Sequence, residues 1–335
     1  VILKSLFLRN FRSYEEKEFS FSPGLNLFIG QNGIGKTNLL EAILFLSTGR
    51  SFRTPHLTDL IRHGETFFYI EAELVEEKTI HHRLLITFDG IAKKLTYNNT
   101  QYGSFTPLLG LLPSVLYAPS DSELITSPTS RRRFLNLPLV QADPLYVHHL
   151  SRYTRALKQR NALLKSKDPQ GIEPFEQELA HSAAFLIAKR AAWIASLSVS
   201  SYLAKLTHEK ESASAFYHPS SDPATYRALL EKNRRRELLF GSTLAGPHRD
   251  DVALEINGRS AKLYASEGQK KTLIAALRLA EWELLSQSKR APALLAIDDL
   301  GLHLDPVRQE HLEALLPTFG QVFVTSPRPL LSSLL

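Results

Sequence analysis

The chain contains no cysteine among its 335 residues. Disulfides and thiolate metal sites are therefore excluded, and a metal, if used, is expected to be Mg²⁺ carried with a nucleotide. Methionine is absent too, an unusual absence at this length that an intact mass of 37.7 kDa checks. No apolar run approaches the roughly 20 residues of a membrane-spanning helix, and no leader peptide is visible. The expectation is a soluble, cytoplasmic protein with no membrane partner. Length alone suggests about two domains, each able to bury a core.

What is present is an uneven charge. The formal net charge is +6, and between Asp121 and Gly241 there are 18 Lys and Arg against 12 Asp and Glu, while the remainder balances at 22 against 22. An excess confined to the middle of the chain suits an anionic partner, and it equally suits a solvated helical surface.

One stretch organises the rest. Gly30-Gln31-Asn32-Gly33-Ile34-Gly35-Lys36-Thr37 fills every position of the phosphate-binding spacing G-x-x-x-x-G-K-[ST]. The run Leu25 to Ile29 before it reads as a buried parallel strand, and Leu39, Leu40, Ile43, Leu44 and Leu46 recur after it at helical spacing. Glycines let backbone N–H groups turn onto phosphates, and the helix N-terminus adds partial positive charge. Lys36 is placed to reach the β- and γ-phosphates, and the Thr37 hydroxyl to ligate Mg²⁺.

Around that centre, Ile2 to Arg9 alternates as a strand that Glu18 to Phe21 can pair with, and Gly49 predicts a helix stop. Phe68 to Leu74, His82 to Phe88 and Lys93 to Tyr97 alternate as strands, the last two joined at Asp89-Gly90, and Val115 to Tyr117 is a further short strand. From Asp121 the periods lengthen to helical ones, at Leu145 to Leu164, Phe175 to Leu206 and Pro223 to Phe240. The expected organisation is an α/β head, residues 1–120 and 242–335, interrupted by a basic, mostly helical lobe, residues 121–241. Arg131-Arg132-Arg133 and Arg234-Arg235-Arg236 suit contact with a nucleic-acid backbone or, equally, salt bridging between domains.

Strand texture resumes at Val252 to Ile256, turns at Asn257-Gly258 and returns through Lys262-Leu263-Tyr264. Ser266-Glu267-Gly268-Gln269 then fits a capping box opening a helix that buries Leu273, Leu277, Ala280 and Leu284. Ala293 to Ile297 is a buried strand that delivers Asp298 and Asp299 at its C-terminal end, where α/β sheets bind ligands. Two acids after an apolar strand also open ordinary turns; beside a complete phosphate loop they suit Mg²⁺ support and activation of water. Asp305-Pro306 is the N-cap and first position of another helix, and Gln321 to Thr325 is a last strand.

The ordered set Leu8 to Tyr14, Gly30 to Leu46, Gly49 to Thr54, Ser130 to Leu135, Gly246 to Asp251 and Gly268 to Leu273 resembles the RecF family of ABC-type DNA repair ATPases, related to the heads of SMC and Rad50 proteins. The resemblance covers almost the whole chain. It implies an ABC-type P-loop ATPase head with a helical second lobe, using ATP and Mg²⁺. Ala265 to Gln269 resembles the ABC signature, in which Ser266, Gly268 and Gln269 of one subunit meet the γ-phosphate on the other's P-loop. Asp298 then matches the Mg²⁺-supporting acid, Asp299 the catalytic acid and Asp305 the loop that crosses the dimer interface, with Arg12 a further nucleotide contact. The implied activity is an ATP-gated homodimeric DNA clamp that works with RecR and RecO at gapped DNA to help load RecA. An ATPase subunit of a membrane transporter shares the same motifs, and a single-subunit P-loop kinase would need only the loop. The sequence departs from the ABC pattern at Ala265 and Glu267, which replace a usual leucine and glycine, and in having Thr325 or Ser326 where a switch histidine is usual. That last departure implies slow hydrolysis. No glutamine suits the loop between lobes, where Asp121 is the nearest candidate.

Overall fold

The computed structural model describes residues 1–77, 79–208, 211–300 and 304–330. Its first part contains strands β1 (Ile2–Phe11), β2 (Tyr14–Ser20) and β3 (Leu25–Ile29), helix α1 (Lys36–Thr48), and strands β4 (Phe68–Glu76), β5 (Ile80–Phe88), β6 (Lys93–Tyr97), β7 (Thr100–Tyr102) and β8 (Ser114–Tyr117). The middle holds α2 (Glu123–Thr126), α3 (Pro128–Ala142), α4 (Pro144–Ser166), α5 (Glu173–Ala195), α6 (Val199–Thr207), β9 (Ala213–His218) and α7 (Tyr226–Phe240). The last part comprises β10 (Asp251–Ile256), β11 (Arg259–Ser260), α8 (Ala261–Tyr264), α9 (Glu267–Lys289), β12 (Leu294–Ile297), α10 (Pro306–Leu315) and β13 (Val322–Ser326).

Three sheets result. An antiparallel sheet runs in the order β2-β1-β4-β5-β6-β7, a parallel one β3-β13-β12-β8, and a small antiparallel one β11-β10-β9. The parallel sheet is buried on both faces, which is why its strands read as continuous apolar runs. Side-chain alternation sends Leu294, Ala296 and Phe323 into a core with α1 and the large antiparallel sheet. Leu295, Ile297, Val322 and Val324 point the other way, into a core shared with α9 and the helices of the middle segment. The α/β architecture expected from the sequence is the observed one, with a parallel sheet at its centre and helices gathered in the middle of the chain.

Several local expectations hold. Gly49 ends α1 in the left-handed conformation, and Asn257-Gly258 turns the chain with both residues at positive φ. Others need correction. The helix expected over 175–206 is two, α5 and α6, broken at 196–198, where the amide of Ser196 folds back onto the carbonyls of Ala192 and Trp193 and the last turn tightens. Residues 262–264 belong to the short helix α8 rather than to a returning strand, leaving Leu263 and Tyr264 exposed. The stretch Glu173–Thr207 is, against expectation, long and apolar enough by composition to cross a membrane. It is apolar because its two helices pack into the core, with Leu179, Ala183, Leu186 and Ile194 of α5 buried beside the buried ions Glu176 and Arg190.

Much of the middle segment's positive charge is structural. Arg160 is fully buried against Glu176 at 2.9 Å and Glu237 at 2.7 Å. Arg190 bonds Asp250 at 2.8 Å, and Asp250 also accepts from Tyr217 and from the amide of Ser220. The Gly246 to Asp251 segment is thereby tied to α5 and β9. Gly246 has φ +122, and a Cβ there would meet the Tyr226 hydroxyl at 2.1 Å. Arg131 is buried, bidentate to Asp251 at 2.6 and 2.9 Å, and donates to the carbonyls of Leu124 and Ile125. Of the two alternatives for its cluster, salt bridging describes Arg131; Arg133 remains exposed. Arg234 is likewise paired, with Glu176 and Glu173, while Arg235 and Arg236 are exposed. Arg131→Ala should therefore lower stability by about 2 kcal/mol, the usual cost of leaving buried acceptors unmade. Urea denaturation checks this; an unaltered midpoint would return Arg131 to a surface role.

Candidate nucleotide-binding site

The strands β3, β13, β12 and β8 are parallel, so their C-terminal ends share one edge of the sheet. That edge collects the phosphate loop after β3, Asp298 and Asp299 after β12, and Thr325 near the end of β13. Hydrogen bonds stitch it together, from the Gly30 amide to the Ser326 carbonyl and from the Asp298 amide to the Tyr117 carbonyl.

Between β3 and α1 the loop passes through Gly33 at φ +88 and Gly35 at φ +104, in the region that favours glycine. A Cβ on Gly35 would also sit 2.9 Å from Ser13 Oγ. Gly35 occupies the N-cap of α1 without a side-chain cap, so the first-turn amides are not spent on one. Lys36 lies back along the loop, its Nζ donating to the carbonyls of Gly30 at 2.6 Å and Gln31 at 2.9 Å. Gln31, Asn32 and Ile34 form the exposed rim.

The two acids are held by two threonines. Thr37 donates to Asp298 Oδ1 at 2.9 Å, and Thr325 donates to the same oxygen at 2.8 Å. Thr325 Oγ1 in turn accepts the Asp299 amide at 2.8 Å. Asp299 has φ +53, a left-handed conformation that aspartate tolerates better than most residues. Its side chain stays partly exposed at the sheet edge, while Asp298 is buried. Thr37 and Asp298 form an oxygen donor pair suited to a hard divalent cation. Among the described residues no three His, Asp or Glu side chains cluster as a metal site; a cation on Thr37 and Asp298 would complete its shell with water and phosphate oxygens.

The signature-like segment forms the capping box expected of it. Ser266 Oγ accepts the Gln269 amide at 3.2 Å, and Gln269 Oε1 accepts the Ser266 amide at 2.8 Å. No hydrogen bond or ion pair joins Ser266, Gly268 or Gln269 to the phosphate loop among the described residues. Asp305 caps α10 through the Arg308 amide at 3.0 Å. The Arg308 guanidinium pairs with Asp305 and donates to Thr272 of α9 at 2.9 Å, linking the two helix starts. The Arg12 guanidinium is bidentate to Glu41 at 2.8 and 2.7 Å.

Asp121 is locked to Arg278 of α9 at 2.5 and 3.0 Å, and Arg278 also holds Glu281 at 2.6 Å. The inter-lobe candidate thus works as a brace between the end of β8 and the signature helix. Burial lifts the Glu281 carboxyl to about 7, against 4.5 for an exposed glutamate. The native state keeps a proton that the unfolded chain releases in that window, so stability falls as pH rises through it. Melting temperatures across that interval should decline less for Glu281→Gln than for the parent. Equal declines would show that the brace does not titrate.

Sequence reasoning missed Arg308 and gave no role to Glu41. Glu41 was detectable as an acid on the apolar stripe of α1, a position that demands a cationic partner. Thr325 was noticed only as standing where a histidine was expected.

The chain matches the family model for the RecF/RecN/SMC N-terminal domain over residues 2–333. It is 43% identical to the DNA replication and repair protein RecF of Protochlamydia amoebophila, over 98% of this chain and 94% of that protein. With the RecF of Chlamydia caviae it shares 39% identity over 96% of this chain and 90% of the relative. The solved structure of the recombination mediator protein RecF with ATP in the RecFOR pathway superposes with a TM-score of 0.91, at 30% identity over 99% of this chain and 93% of the other. An SMC head bound to the C-terminal winged-helix domain of ScpA shares the fold, with a TM-score of 0.55 at 18% identity.

Proposed function

The chain belongs to the RecF/RecN/SMC N-terminal domain family, and on that premise we propose that it is an ATP-hydrolysing DNA replication and repair protein of the RecF kind. The single observation that carries the mechanism is the constellation of Thr37, Asp298, Thr325 and Asp299 at the mouth of the phosphate loop. The resemblance to a RecF solved with ATP supports ATP as the nucleotide.

In this reading the loop amides and the N-terminus of α1 receive the β- and γ-phosphates. Lys36 exchanges the carbonyls of Gly30 and Gln31 for phosphate oxygens. Thr37 and Asp298 are the residues that would hold Mg²⁺, and the ion would supply neutralisation of charge on the phosphates. Asp299, kept at the sheet edge by its amide bond to Thr325, orients the attacking water and accepts its proton. Ser266 and the first amides of α9 make no hydrogen bond to their own loop among the described residues; the ABC-type resemblance supports their meeting the γ-phosphate of a second copy, so that ATP closes a dimer. Arg308 couples that contact to Asp305 at the same interface. Thr325 is committed to both acids and does not act as a γ-phosphate sensor, which supports slow hydrolysis and release of the dimer after it.

The closed dimer binds DNA at gaps, in the cytoplasm, and acts with RecO and RecR to help load RecA. The exposed Arg133, Arg235 and Arg236 are the part of the basic middle segment left for phosphate contact. Multi-angle light scattering with and without ATP and gapped duplex tests the reading. ATP should double the mass and DNA should stabilise the doubled species; a mass indifferent to ATP would overturn it.

A further inference from the structure

Glu211 lies in the segment between α6 and β9, 58 residues before Gln269, and its side chain is only 12% exposed. Its Oε1 accepts Gln269 Nε2 at 2.7 Å. Its Oε2 is enclosed, makes no hydrogen bond among the described residues and has Arg308 Nη2 at 3.8 Å. The next residue fixes where this carboxylate stands. Ser212 donates its amide to Asn257 Oδ1 at 2.9 Å, and its carbonyl accepts the Asn257 amide at 2.9 Å. Glu211 is thus anchored to the small sheet and reaches from there to the starts of α9 and α10.

A glutamine amide has one accepting end and one donating end. The capping box uses the accepting end of Gln269, because its Oε1 takes the Ser266 amide at 2.8 Å. Glu211 takes the donating end. With both ends committed the amide cannot turn over, and Ser266 is held in one orientation. Arg308 is placed by the same acid. Its Nη1 donates to Thr272 at 2.9 Å and lies 3.2 Å from where a Cβ on Gly268 would stand, so the guanidinium rests against the first turn of α9. Its approaches to Asp305 at 3.4 Å and Glu211 at 3.8 Å are longer than full hydrogen bonds. The two acids offset the guanidinium's charge without consuming its donors. Ser266 and Gly268 beside it are exposed. An enclosed carboxylate oxygen with no hydrogen bond costs stability, and a helix start that is exposed and capped by its own box does not need one.

We propose that Glu211 is a positioning residue for the nucleotide contact made across the dimer. It fixes Gln269, and through it Ser266, and it keeps Arg308 against the start of α9. The serine hydroxyl, the first amides of α9 and the guanidinium are then presented together to the γ-phosphate of the second copy, with their rotamer freedom already spent before the two copies meet. Glu211 touches no phosphate itself. This inference rests on the trans-phosphate reading of Ser266 and adds to it the residue that sets its geometry.

Glu211→Ala should bind ATP as the parent does in a calorimetric titration of the monomer, because Lys36 and the phosphate loop are held by other groups. Its ATP-driven dimerisation, followed by sedimentation, should weaken about tenfold, the factor that one charge-assisted hydrogen bond supplies. Gln269→Ala should lose a similar factor, and the double variant should be no weaker than the weaker single one, since the two side chains act through one chain of contacts. A purely structural role predicts losses that multiply. Glu211→Gln keeps an acceptor for Gln269, so it should recover most of the dimerisation, and it serves as the variant of reference should alanine misfold. In the nucleotide-free monomer, hydrogen exchange at the Ser266 amide should be faster in Glu211→Ala than in the parent. Parent-like dimerisation of Glu211→Ala, multiplying losses in the double variant, or unaltered exchange at Ser266 would each overturn the proposal. A parent that stays monomeric with ATP would instead remove the trans-phosphate reading, and exchange at Ser266 would then decide the positioning role alone.

Discussion

Ser266→Arg is expected to bind ATP with near-normal affinity and to remain monomeric, whereas Asp299→Asn is expected to accumulate as an ATP-bound dimer. The opposition follows from where the two residues stand. Ser266 caps α9 through Gln269 and makes no bond to its own phosphate loop among the described residues. An arginine there keeps the P-loop intact but thrusts a long side chain into the space that the proposed arrangement gives to the partner's nucleotide. The cap itself is worth about 1 kcal/mol, so the variant folds. Asp299 is different. Its amide is anchored to Thr325, and its carboxylate is left at the sheet edge beside the buried Asp298. Asparagine preserves the anchor and the left-handed backbone, which it also tolerates, and removes only the charge proposed to polarise water. General-base contributions are about 10²- to 10⁴-fold, and hydrolysis should fall by that order while binding survives. Light scattering with ATP on both variants and the parent decides the matter. Two monomers, or two dimers indistinguishable from the parent, would refute the trans-phosphate arrangement. A kinase acting as a single subunit predicts no such opposition.

Lys36→Ala should weaken ATP binding about 100-fold, the effect of losing a charge-assisted contact worth roughly 3 kcal/mol. ATP-driven dimerisation and stable DNA binding should go with it, because both depend on the bound nucleotide. In the structure Nζ also bridges the carbonyls of Gly30 and Gln31, so alanine loosens the loop as well as discharging it. Nucleotide titration monitored by calorimetry, paired with gapped-DNA binding at one salt concentration, measures both effects. Unchanged nucleotide affinity would remove the P-loop from the mechanism. Retained DNA binding with lost ATP affinity would instead uncouple the two activities.

The residues that sequence and structure agree on have short-range signatures. Glycine spacing in the phosphate loop, the Ser266 to Gln269 capping box, the Asp305-Pro306 helix start and the Asn257-Gly258 turn each depend on backbone geometry within a few residues. Period-two and period-3.6 patterns likewise report burial along one element, and they sufficed for the α/β head and the helical texture after Asp121. What tertiary structure alone decided are pairings between residues far apart in the chain. Thr325 meets Asp298 and Asp299 because β13 inserts between β3 and β12. Arg131 finds Asp251, and Arg278 finds Asp121, across segments that no local pattern relates. Charge in a sequence has no direction: the same run of three arginines can face solvent or be drawn inward, and burial with a carboxylate decides which. The break between α5 and α6 was illegible for the same reason, since the helical period runs on through residues 196–198 and only packing decides where the chain turns. Order along the chain determines local conformation; which surfaces then become neighbours depends on how the sheets stack, and that is set by all the elements together.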